Sequence, residues 1–117
     1  MPTRVTLNES VTVTLNGSGA GTARLGPLTA RETWYPINAG VKAVSTIPPT
    51  NEAQCVIYVG QTATAENFRD NTFSGSSGDA SGKVSGKLPK NYFVFAVWTG
   101  GDAGAKATLS VTGEKEV

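Results

Sequence analysis

Six carboxylates could in principle supply the acid–base pair of a glycoside hydrolase: Glu32, Glu52, Glu66, Asp70, Asp79 and Asp102. Each stands beside a turn-forming stretch, where acidic side chains ordinarily serve solvation and local hydrogen bonding. Asp70-Asn71-Thr72 with Asp79 has the oxygen-rich make-up of a calcium loop. It lacks the EF-hand spacing and the closing bidentate glutamate. The chain contains no histidine, which removes the commonest general base and the commonest metal ligand. Cys55 is flanked by Val56, Ile57 and Val59 and reads as core filling, since no neighbouring cation or helix terminus is evident to activate it. The glycine pairs of Gly17-Ser18-Gly19 and Gly19-Ala20-Gly21 lie in a strand-to-strand turn, so the helix N-terminus a phosphate cradle needs is missing. These residues predict no catalysis, no metal site and no cofactor.

Four aromatics remain as binding candidates: Trp34, Tyr35, Tyr92 and Trp98. Splayed on one exposed face they would make a carbohydrate platform; gathered into a patch they would make a protein interface. The competing reading is that they fill the core.

The elements that must position them are strands. Ala105, Ala107, Leu109 and Val111 alternate with Lys106, Thr108, Ser110 and Thr112, one face for a core and one for water. Tyr92–Thr99 is apolar on both sides, as is Ala53–Val59, and these two runs predict central strands with a covered second face. Long loops of the chain or a neighbouring protein could supply that cover, and the neighbour is the expectation. Gly100–Gly104 reads as the turn of a hairpin joining Tyr92–Thr99 to Ala105–Val111. Asn16–Gly21 reads as a second hairpin loop.

Upstream, Arg4–Leu7 and Val11–Leu15 are short alternating runs separated by Asn8-Glu9-Ser10, a turn-forming cluster. Thr22–Leu25 follows. Pro36 should end, bulge or place at an edge the segment Thr29–Pro36. Val41–Ile47 is closed by Pro48-Pro49-Thr50-Asn51. Thr64 can cap one helical turn, with Phe68 folded back on the core. Asn71–Lys83 reads as a long loop with an edge strand, Val84–Leu88 as a weak strand, and Glu114–Val117 as an outward tail.

The expectation is an all-β fold: one antiparallel β-sandwich over residues 1–117, jelly-roll or immunoglobulin-like, with eight to nine short strands. At most one helical turn and short flexible termini complete it. With 117 residues, 38% hydrophobic and 16% charged, the chain can close a core of its own. A net charge of +1 without a basic stripe disfavours nucleic acid, and no apolar run is long enough for a membrane helix. The N-terminus MPTRVTLNES has no apolar segment of a secretory signal, and one cysteine forms no internal disulfide, so synthesis in the cytoplasm is expected.

The stretches VTVTLNGSGAGTARLGPL, ETWYP, AVSTIP, CVIYVG and AVWTGGDAGAKATLSVTG resemble small β-sandwich virion proteins of tailed phages that infect actinobacteria. The likeness runs from about Asn8 to Val117 and is most specific in Ala96–Asp102 and Ala107–Gly113. It implies a non-enzymatic structural component at the virion surface, made in the host cytoplasm: a capsid decoration or minor capsid protein. Its implied partner is the major capsid protein, with copies of itself as a further partner. Its rivals are a minor tail protein and a surface glycan-binding module using the four aromatics.

Overall fold

A computed structural model of the chain describes residues 3–27, 29, 31–44, 54–73, 78–79 and 86–117. Eight strands follow one another: β1 (Arg4–Thr14), β2 (Gly21–Leu25), β3 (Thr33–Val44), β4 (Gln54–Gly60), β5 (Phe68–Phe73), β6 (Gly78–Asp79), β7 (Phe93–Thr99) and β8 (Lys106–Glu116). They form two antiparallel sheets, ordered β1-β8-β3-β6 and β2-β7-β4-β5. Six strands make the body, three per sheet. One edge strand on each side, β5 and the two-residue β6, widens each sheet to four. The nesting of first with last, second with seventh, third with sixth and fourth with fifth is jelly-roll wiring; an immunoglobulin sandwich is ordered otherwise.

Long strands replace several expected short ones. Asn8-Glu9-Ser10 is no turn: the ladder with β8 continues through Asn8↔Thr112, Glu9↔Val111 and Ser10↔Ser110. An available partner along the whole length outweighs local turn preference. Likewise β3 runs past Pro36, where the register with β8 shifts between Pro36 and Asn38. That bulge accommodates the proline. It closes on Gly113, whose φ is +154° and whose added Cβ would meet the Tyr35 carbonyl oxygen and the Ile37 amide nitrogen.

Neither expected hairpin forms. β7 and β8 lie in different sheets, as do β1 and β2, because each pairs with a more distant strand that completes its apolar face. The two loops at that end meet instead: the Gly101 amide donates to the Gly19 carbonyl at 3.0 Å. The tail expected to extend outward is the end of β8, held between β1 and β3.

The core is built from the inward positions of both sheets: Leu7, Ala39, Val41, Ala107, Leu109 and Val111 from the first, Ala23, Cys55, Ile57, Val94, Ala96 and Trp98 from the second. β7 and β4 are the central pair of the second sheet, as their two-sided apolarity predicts. The helical turn exists as a single 3-10 turn, Ala65–Asn67, but Thr64 makes no side-chain cap. Phe68 does not fold onto the core; it opens β5 and is 48% exposed. Pro48–Asn51, Glu52 and Val84 lie outside the described residues.

Candidate interaction surface

Two of the four aromatic candidates are corrected by burial. Trp98 is 0% exposed. It stands in register between Gly21 and Cys55, on the inward side of β7 with Val94 and Ala96. Trp34 is 5% exposed; its backbone exchanges hydrogen bonds with Leu88, and its Nε1 donates to Glu32 Oε1 at 3.2 Å. Neither ring is presented to a partner. Of the two tyrosines Tyr92 is exposed and Tyr35 half-buried, and they go with different sheets, Tyr35 in the first and Tyr92 next to the second. Tyr35 is on the outer face of the first sheet, under the Arg4 guanidinium at 4.0 Å from its ring centre. A hydrogen bond with the Glu116 carboxylate raises its hydroxyl pKa, against the opposing pull of Arg4. Tyr92 precedes β7 and lines a cavity of about 260 Å³ with Asn67, Lys87 and Leu88. The four rings therefore form neither a platform nor a patch.

The aromatic surface lies elsewhere. On the outer face of the second sheet, Arg24, Phe95, Tyr58 and Phe68 stand in one row across β2, β7, β4 and β5. Phe93 packs edge-on against Phe95 at 5.7 Å, Tyr58 edge-on against Phe68 at 6.4 Å, and Arg24 sits 4.6 Å over Phe93. Phe93 and Phe95 are only 7% exposed, so the chain itself shields much of this second face. Phe93, Phe95 and Val97 were legible as one side of β7; which side faced out was not.

The outer face of the first sheet is polar. Its cross-strand rows carry hydroxyls, including Thr12 Oγ1 at 2.9 Å from Thr108 Oγ1, and Lys106 Nζ donating to Thr14 Oγ1 at 2.7 Å.

Among the described residues Glu32 shares a lysine with a second acid, Glu9, which the sequence had hidden in an apparent turn. Lys115 Nζ lies 3.5 Å from Glu32 Oε1 and 4.0 Å from Glu9 Oε2. An ammonium between two carboxylates makes an ion triad rather than a bare carboxylate pair. The triad lines a half-open cavity of about 260 Å³ with Leu25, Gly26 and Trp34. The backbone of Asp70-Asn71-Thr72 belongs to β5 and that of Asp79 to β6, so the supposed calcium loop is strand. Among the described residues no group of acids or thiols is arranged to hold a metal.

Cys55 is fully buried, and burial pushes its thiol up to about 12 against a hydrogen bond from the Val97 backbone. A thiol so raised is not a nucleophile at neutral pH. In the glycine-rich turn, Asn16 Oδ1 accepts from the amides of Ser18 and Ala20 at 2.8 and 3.2 Å, leaving those donors engaged.

No family model matches the chain, and no curated protein does. Among solved structures, the fold is similar to a chain of the acid-stable capsid structure of Helicobacter pylori bacteriophage KHP30. The TM-score is 0.60 at 12% identity, and the match spans 100% of this chain and 94% of that one. The likeness is one of fold, over two chains of nearly equal length.

Proposed function

We propose that the chain is a non-enzymatic phage virion structural protein, a capsid decoration or minor capsid protein that binds the major capsid protein from the virion surface. The observation that carries this reading is the whole-length fold likeness to a chain of similar size in a phage capsid structure. The chemistry agrees. The chain lacks histidine, the carboxylates that come together among its described residues are bridged by lysine, and its thiol is buried. Adhesion requires none of these groups to react.

Purified particles test it. The chain should be present in copies on the scale of the capsid lattice, and an image of the particle should place it on the shell. A handful of copies confined to the tail, or absence from the particle, refutes it.

A further inference from the structure

The outer aromatic face is a poor adhesive by itself. Phe93 and Phe95 are 7% exposed, and Phe68 is its one large apolar side chain above a third exposed among the described residues. A stable interface buries on the order of 800 Å² per partner; one half-exposed ring supplies a small part of that.

The free edge of β1 offers more. Among the described residues β1 pairs with β8 alone. The Thr3 and Val117 backbones exchange both hydrogen bonds, and the Leu15 amide donates to the Ala105 carbonyl. In an antiparallel ladder such pairs alternate, so the odd residues of β1 face β8. The amides and carbonyls of Arg4, Thr6, Asn8, Ser10, Thr12 and Thr14 then point to the open side. That row is about 34 Å long, at roughly 3.4 Å per residue, and no proline interrupts it.

Beside the row lies the ion-triad cavity. Glu32 Oε1 takes both the Trp34 indole and Lys115, and Glu9 meets Lys115 through Oε2. Among the described residues, the second oxygen of each carboxylate takes no further partner. Two carboxylates against one ammonium give the cavity a net negative charge. Glu9 is an odd residue on the inward side of β1, and a residue across from it on an added strand would lie about 4.5 Å away, Cα to Cα.

We infer that β1 is the docking edge for an extended segment of a partner protein, which adds a strand to the first sheet and places a lysine or arginine beside Glu9 at the cavity. Backbone pairing supplies affinity and the acidic cavity supplies selection. A second copy of β1 fits poorly, because the symmetric register centred on this residue would oppose Glu9 to Glu9. The inference deepens the capsid reading by giving the partner's contact a chemistry.

The test uses the full chain, isotope-labelled, with amide exchange read residue by residue. One probe is a nine-residue peptide of alternating valine and threonine whose central residue, on the valine face, is arginine; a second carries glutamate there. The other arm is shells of the major capsid protein. The arginine peptide should slow exchange at Thr6, Asn8, Ser10 and Thr12, bind roughly tenfold more tightly than the glutamate peptide, and lose that preference with Glu9→Lys. Ser10→Pro, which removes an edge donor and spares the ladder to β8, should weaken binding while the chain still melts cooperatively.

Absence of β1 protection by the arginine peptide overturns the inference, as does equal binding of the two peptides. Shell binding with protection elsewhere overturns it and leaves the capsid reading standing. Peptide binding as described without shell binding upholds the docking edge and counts against the capsid reading.

Discussion

Trp98→Ala separates a core aromatic from an adhesive one. The side chain is 0% exposed and faces the core between Gly21 and Cys55. Burying an indole removes about 200 Å² from water, worth about 5 kcal/mol at 25 cal/mol per Å². The alanine recovers a little, and partial collapse of the cavity recovers more. A loss of about 4 kcal/mol is expected, within the range for large-to-alanine changes in cores. Against a domain stability of about 5–15 kcal/mol, that leaves a chain close to its folding limit at 37 °C.

The assay is equilibrium unfolding in urea followed by circular dichroism, with Tyr92→Ala as the comparison. At roughly 2 kcal/mol per molar urea, the Trp98→Ala midpoint should fall by about 2 M. Tyr92, 37% exposed, should change stability by no more than about 1 kcal/mol. A Trp98→Ala chain as stable as the parent but unable to bind particles would refute the placement of this ring, and with it the inside–outside assignment of β7.

Gly113→Ala should destabilise by roughly 2–4 kcal/mol, since its Cβ meets backbone atoms of the Pro36 bulge at a φ of +154°; thermal melting checks it, and an unchanged midpoint would mean the bulge yields. Asn16→Ala should cost about 1 kcal/mol and speed amide exchange at Ser18 and Ala20, the two donors Asn16 Oδ1 accepts from. Cys55 should resist a thiol reagent at pH 8 until the chain unfolds. Its folded pKa lies near 12 against an ordinary value of 9.0, so above pH 9 the unfolded chain loses a proton that the folded chain keeps. Its contribution to stability is whole below pH 9 and declines toward pH 12, by up to about 1.4 kcal/mol per pH unit; urea midpoints across that window measure the slope.

Alternation made much of the fold legible. Ala105, Ala107, Leu109 and Val111 turn inward as their spacing requires, and the two-sided apolar runs are the central strands β4 and β7. Pairing across the chain was not legible, because a strand's partner is chosen by distant residues. Asn8-Glu9-Ser10 has the composition of a turn, yet Thr112, Val111 and Ser110 stand opposite and hold it extended. The same limit hid the site. Both sides of β7 are apolar, and the cross-strand neighbours distinguish them: Gly21 and the buried Cys55 stand beside Trp98, whereas Arg24 and Tyr58 flank Phe95 on the outside. Glu9, on the inner side of an edge strand, could not be told from a turn carboxylate.

Glu9 also bears on how a long free edge avoids pairing with copies of itself. Unpaired edges invite association of identical copies, and an inward-pointing charge is one of the devices that prevents it. Here the charge is neither exposed at random nor buried unpaired: Lys115 holds it at 4.0 Å while its side chain keeps 45% exposure. A strand without a cation would place an apolar or acidic group against this carboxylate and bear its desolvation. A strand with a lysine or arginine at that position replaces lost water with a charged partner. The same residue thus resists pairing between copies and favours a basic heterologous strand. Blocking and admitting are two outcomes of one carboxylate at one register position.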